Sequence, residues 1–288
     1  MDYSVDFCKE NNSVSFFKKH TVFAYLFMAA VIFAIFAIFL AVYGIYPFGE
    51  KTMSSYDMLA QVAPFIEHFY DVFSGKSSLF YTFAIAGGAD VFGTLTFCAL
   101  SPFTFVFLLF GEGNVYYATS IVLPLKIVCV AFAAFYYVKK RFKNINLYMQ
   151  ITLALSYAFC GYLYVSNTYI SWVDLLIYLP FVAWGFRKIV RGEKKTTFVV
   201  SLCLMIYTCF SITSFSLFII YPILILYAII AVEKQERKRV VTDTVLALVS
   251  SVMFSLPVLL SSLAAFMVSG RRGGLFANLF NDLKADPL

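Results

Sequence analysis

From Thr21 to about Tyr43 the sequence contains no charged side chain, and further apolar runs of comparable length follow to about Val268. A helix needs roughly 20 apolar residues to cross a hydrocarbon core about 30 Å thick at about 1.5 Å rise per residue. Several of these runs meet that requirement. Barrel strands would alternate apolar and polar residues, whereas these runs are continuously apolar, so the chain is expected to be an all-α polytopic membrane protein. With 61% hydrophobic and 13% charged residues over 288 positions, a soluble domain could not hide so much apolar surface.

The net charge of +6 does not indicate nucleic acid, because most of the 22 Lys and Arg residues fall in short runs between apolar segments. These runs are Lys9, Lys18 and Lys19; Lys139, Lys140, Arg141 and Lys143; Arg187, Lys188, Arg191, Lys194 and Lys195; and Lys234, Arg237, Lys238 and Arg239. One orientation puts all four on the cytoplasmic side, with residues 1–20 as a cytoplasmic N-terminus. The first apolar run is too long for a signal-peptide core and has no small-residue cleavage site after it, so it reads as a retained span. Residues 46–93 then form the first external loop. Residues 94–110, broken at Ser101-Pro102, are expected to re-enter rather than cross, because a crossing there would send the Lys139 cluster outside. Spans over 115–138, 147–165, 172–186, 197–213, 215–232 and 241–268 bring the count to about seven, with an external tail at 269–288. Residues 94–268 thus form the re-entrant helix and bundle of a single transmembrane domain. Tyr116, Tyr117, Tyr162, Tyr164, Tyr169 and Trp172 supply an aromatic belt.

The six cysteines are scattered, without CxxC or ligand spacing, and read as small hydrophobes; the two histidines, His20 and His68, make no zinc motif. No metal ligand set is expected, and the sequence does not decide whether a divalent cation assists.

Polar chemistry concentrates in the external loop. Ser54-Ser55-Tyr56-Asp57 has the S-x-x-D form of a helix start, and Met58, Leu59, Val62, Phe65, Ile66, Phe69, Val72 and Phe73 recur at helical spacing. Asp57, Gln61, His68 and Asp71 share the other face, so an amphipathic helix in the membrane interface is expected, divided in two by Pro64. Asp57 has two readings: a capping acid at the helix start, or a catalytic carboxylate at the mouth of a membrane cavity. Glu67 and Asp71 read as solvated surface charges. The glycines of Gly87-Gly88-Ala89-Asp90 and Gly93 read as tight-turn residues, without the lysine or spacing of a phosphate loop. Lys126 and Asp174 are charges within spans, which either pair or face a wet cavity. Arg271 and Arg272, at the external headgroup level, suit phosphate binding or a simple interface anchor.

The order of Tyr46-Pro47-Phe48-Gly49, Ser55-Tyr56-Asp57 with Gln61 and Pro64-Phe65, the GGADVFG segment ending at Gly93, Leu100-Ser101-Pro102-Phe103, Leu125-Lys126 and Ser269-Gly270-Arg271-Arg272 resembles the bacterial YfhO-type membrane proteins. Those are grouped with the GT-C glycosyltransferases, and the resemblance covers almost the whole chain. It implies a GT-C-like fold and transfer of a sugar from a polyprenyl-phosphate carrier, the donor substrate, to a cell-envelope polymer on the outer face of the bacterial cell membrane. It also implies a catalytic role for Asp57, by analogy with the essential acid near the start of the first external loop in that class. Gln61 would then line the same face, and Lys126 or Arg271 would meet the carrier phosphate. His68, Asp174 and Arg272 complete the candidate substrate contacts. Relatives are usually longer, with more spans and an external domain, so the chain is expected to be an N-terminal part or a short variant. Two alternatives stay open: a transporter or flippase subunit with Lys126 and Asp174 on its path, and a catalytically incomplete membrane scaffold. Membrane lipid and lipid-linked sugar are the expected partners; protein partners are unspecified.

Overall fold

The computed structural model describes residues 21–84, 88–166, 169–208 and 210–268. The chain is a bundle of helices with one two-residue antiparallel hairpin, β1 (Tyr81–Thr82) and β2 (Ala89–Asp90), beside it. Its axis is α5 (Val115–Arg141), whose apolar window is 67% buried, against 17% for the first helix, α1 (Thr21–Tyr43). The reason lies in composition: α1 is apolar on every face, so lipid can serve as its solvent, whereas α5 carries Thr119, Ser120 and Lys126, which are buried inside the bundle. Only one stripe of α1 is inside. Ala24, Met28 and Ile32, four residues apart, are fully buried, and Tyr25 packs edge-on to Phe132 (4.7 Å) and Phe135 (5.1 Å).

After α5 come α6 (Leu147–Ala158) and α7 (Gly161–Ser166), a short 3₁₀ turn (Ile170–Trp172), and α8 (Val173–Val190). Asn146 caps α6, accepting from Met149 N–H (2.8 Å). The expected single crossing over 147–165 is therefore two helices with a break at Cys160. α9 (Thr196–Thr208) lies so close to α8 that a side chain on Gly185 would meet the Phe198 backbone at 2.5 Å. α10 (Phe210–Ala231) covers this pair, and α11 (Lys234–Phe254) and α12 (Leu256–Val268) follow. Residues 241–268, expected as one crossing, fall on α11 and α12, which meet at a bend of 61°. The bend falls at Ser255, just before Pro257, whose ring and missing N–H do not fit a continuing helix.

By length and composition three of the described helices can cross a membrane alone, Thr21–Tyr43, Val115–Arg141 and Ile212–Ala231, and the bent pair is a fourth. The other segments counted toward seven crossings are shorter, at 12 residues for α6, 13 for α9 and 18 for α8. They would cross only with a thinned bilayer or with their ends buried in protein. Residues 94–110 form no span: α3 (Phe92–Cys98) and α4 (Thr104–Leu108) are short helices joined at a corner by Ser101-Pro102, with Leu95, Ala99 and Phe107 buried.

The bundle has two chemically distinct ends. At one, Lys139 Nζ donates to Thr21 Oγ1 (2.6 Å), and Arg239 donates to the Ile189 and Val190 carbonyls (3.2 and 3.1 Å), tying α1 to α5 and α11 to α8. The basic clusters of the helix ends thus gather on one side, as charge segregation requires. At the other end Tyr46, Ser54 and Glu67 meet the first turn of α5. Gly44 (φ +64°) and Gly49 form a turn too tight for another Cβ, since one on Gly49 would fall 2.3 Å from the Gly44 carbonyl oxygen.

Gly93 is the close-contact point of the second glycine segment. A Cβ there would sit 2.6 Å from the Ala265 Cβ and 2.7 Å from the Ser261 carbonyl oxygen, and Thr96 hydrogen-bonds the Ser262 hydroxyl beside it. The glycine read as a turn residue therefore also lets α3 press against α12. Gly87 lies outside the described residues.

Candidate functional site

The candidate site begins where the loop turns into helix. Tyr56 has φ +46°, unusual for an aromatic residue, and is 81% exposed. Asp57 follows with ordinary helical angles and makes no capping hydrogen bond. The capping reading of Asp57 is thus not realised. Its Oδ1 instead accepts from Gln61 Nε2 at 3.0 Å, one turn on and on the exposed face.

The turn between them is a π-helix, Met58–Val62, passing directly into α2 (Ala63–Phe73). Pro64 therefore does not divide the helix. A proline at this place cannot donate to the carbonyl four residues back and crowds it; the wider π turn, with Ala63 N–H on the Met58 carbonyl, relieves that conflict without a break. Met58, Val62, Ala63, Ile66 and Phe69 are buried in the main core, so much of the apolar face is spent on protein. Leu59 and Phe73 stay exposed.

Three contacts fix this unit to α5. Ser54 Oγ donates to the Tyr116 carbonyl (3.1 Å), Tyr46 packs on Tyr117 (5.5 Å between rings), and Glu67 accepts from the N–H groups of Gly113 (3.1 Å) and Val115 (3.3 Å). Glu67 is therefore no idle surface charge: it caps the N-terminus of α5, where backbone donors lack partners and negative charge is favoured. Tyr70 adds a bond to the Phe107 carbonyl (2.9 Å).

The other candidates are dispersed. His68 is buried, and its Nε2 donates to the Ser78 carbonyl (3.1 Å), so it fastens the following loop rather than sharing a face with Asp57. Asp71 receives backbone N–H groups of Lys76 and Ser77 on its carbonyl, ending the helix. Arg271 and Arg272 lie outside the described residues.

Lys126 and Asp174 meet. Lys126 Nζ donates to Asp174 Oδ1 at 2.7 Å, to the Ile170 carbonyl at 2.9 Å and to Ser101 Oγ at 3.4 Å, with Phe103 5.0 Å away on its ring face. The side chains are 1% and 0% exposed. All three ammonium protons are thus used inside the protein, and Lys126 is not placed to meet a carrier phosphate. The cluster instead holds three elements together: α5, the corner between α3 and α4, and the start of α8. Among the described residues Asp174 Oδ2 and Ser171 Oγ lack a hydrogen-bond partner.

Close to the loop, an apolar cavity of about 320 Å³ opens between α1, α5 and the break between α6 and α7. Phe36 and Phe39 form one wall, Leu123 and Ile127 another, Leu163 a third, and Met53, four residues before Asp57, reaches it from the loop. Among the described residues no group of three His, Cys, Asp or Glu side chains could hold a metal ion. The sequence could not reveal this cavity, because its walls are ordinary apolar residues from four separated segments.

Comparison with known proteins gives one assignment. The family model described as bacterial membrane protein YfhO matches residues 28–283. No curated protein and no solved structure gives a significant match.

Proposed function

Because the chain belongs to the YfhO family of bacterial membrane proteins, we propose that it works on a lipid-linked sugar, transferring the sugar from a polyprenyl phosphate to a cell-envelope acceptor outside the cytoplasm. The proposal rests on one observation: the Asp57 carboxylate makes no capping bond, and Gln61 anchors one of its oxygens at the end of the bundle away from the basic clusters. That leaves Oδ2 to act as general base. A base in hydrogen-bond reach of the attacking hydroxyl contributes typically about 10²–10⁴-fold to rate.

In the proposed step the acceptor hydroxyl attacks the anomeric carbon and passes its proton to Asp57. The bond between that carbon and the phosphate oxygen breaks, and the lipid phosphate leaves with the electron pair. One displacement inverts the anomeric configuration. The cavity beside Met53 suits the isoprenoid chain, since its lining is almost wholly hydrocarbon, with the Cys160 thiol beside it. Holding the lipid there would fix its headgroup near the loop and make the transfer effectively intramolecular.

The test is transfer of labelled sugar from polyprenyl phosphate in membranes carrying the protein or its Asp57→Asn form. An enzyme loses transfer while keeping its fold and its carrier binding. If Asp57→Asn leaves transfer unchanged, the carboxylate is not the base. If the parent transfers nothing yet moves the lipid across the bilayer, a transporter reading replaces this one.

A further inference from the structure

At the basic end of the bundle a second cleft, of about 540 Å³, lies between the ends of α5, α8 and α10. Three guanidinium groups line it: Arg141 at the end of α5, Arg187 in the last turn of α8, and Arg191 just after α8. Among the described residues none of the three forms an ion pair, and the acids of α11 are paired with other cations. Asp243 pairs with Lys195 (2.6 Å) and Arg239 (3.6 Å), and Glu236 pairs with Arg239 (2.5 Å). Arg141 and Arg191 are close enough to Arg187 to repel it, with the Tyr137 and Tyr227 rings also beside it, and among the described residues its buried Nε has no hydrogen-bond partner. Arg187 is half-buried with an unsatisfied donor and has the exposed Arg141 and Arg191 guanidinium groups beside it, an arrangement that an anion would relieve.

We propose that this cleft binds the phosphodiester of an anionic phospholipid from the leaflet at the basic end, held by Arg141, Arg187 and Arg191.

The occupant is a lipid because of the walls. Phe186, Ile223 and Leu224 supply hydrocarbon beside the guanidinium groups, and Tyr227 joins them. The cleft also opens along α10, whose apolar window is only 7% buried, with Ile223 and Tyr227 more than half exposed. A phosphate bound there would have its acyl chains running down α10 into the bilayer. Guanidinium groups bind phosphate oxygens in bidentate fashion, and basic pockets between helices at a membrane surface suit such headgroups. A soluble phosphate compound would leave the apolar wall unused. The inference stands apart from the Asp57 site, which lies at the other end of the bundle.

Trp172 and Trp184 are the two tryptophans, and Arg191 lies 6.0 Å from the Trp184 ring. In a Trp172→Phe protein, Trp184 is the sole tryptophan and, excited selectively beyond the tyrosine absorption, reports on the cleft. The full chain would be placed in vesicles of phosphatidylcholine doped with equal small amounts of brominated phosphatidylcholine or brominated phosphatidylglycerol. The expected result is stronger quenching by the brominated phosphatidylglycerol, an excess that Arg141→Gln/Arg187→Gln lowers about tenfold or more. Quenching by brominated phosphatidylcholine should stay constant and so report an intact fold. If the double variant does not fold, Arg191→Gln alone should still lower the excess several-fold. Equal quenching by the two lipids in the parent, or an excess that survives the substitutions, overturns the proposal. Loss of the excess on adding millimolar inorganic pyrophosphate would assign the cleft to a soluble phosphate and overturn the lipid assignment.

Discussion

Glu67 and Val115 are 48 positions apart in sequence, yet the Glu67 carboxylate accepts the Val115 N–H at 3.3 Å and that of Gly113 at 3.1 Å. The helix that carries Asp57 is thereby clamped to the first turn of the central helix. The position of Asp57 depends on a residue ten places further along the same helix.

Removing that clamp should loosen the loop. Glu67→Ala is expected to cost about 1 kcal/mol of stability, the usual loss of a helix cap, and Glu67→Gln less, since the amide oxygen still accepts. Thermal unfolding in detergent measures the difference. Equal stability of all three proteins would show that the cap carries no load.

The Lys126–Asp174 pair should behave as a buried ion pair. Either Lys126→Met or Asp174→Leu alone leaves one charge without its partner and is expected to cost about 3–5 kcal/mol. The double substitution replaces both by apolar groups and should recover most of that loss. A double-mutant cycle on unfolding free energy reads the coupling; additive costs would mean that the two side chains act independently.

Gln61 should act through Asp57. Gln61→Ala is expected to lower sugar transfer by about tenfold or less, well short of the general-base effect expected for Asp57→Asn. In an Asp57→Asn background the same change should have little further effect, because the group it orients is already gone. Labelled-sugar transfer in membranes measures all four proteins, and an undiminished effect of Gln61→Ala in that background would separate its role from the carboxylate.

Two glycines make a contrasting pair. Gly93→Ala places a Cβ 2.6 Å from that of Ala265 and should destabilise by about 1–3 kcal/mol, through overpacking. Gly161→Ala, at the start of α7 with open space around it, should stabilise by about 0.4–1 kcal/mol by restricting the unfolded chain. Melting temperatures of the two variants should move in opposite directions.

What the sequence determined by itself is the part governed by local composition. Continuous apolar runs require helices in lipid, basic residues mark helix ends, and the order of short motifs leads to the family. The positions of α1, α5 and the helix after Asp57 follow from these. Tertiary structure alone decided the rest. Asp57 could have been a cap and is not, while Glu67, which looked like a surface charge, is one. Lys126 and Asp174 could have faced a wet path and instead pair in the dark of the bundle. Arg141 and Arg191 are exposed helix-end charges like their neighbours, yet packing brings them into one cleft with the half-buried Arg187. Each outcome depends on the rotation and depth of helices far apart in the chain, set by packing against α5 and by close approaches such as Gly93 on α12 and Gly185 on α9. Hydropathy has no access to that register, because it counts what each segment is made of and not which face it turns to another.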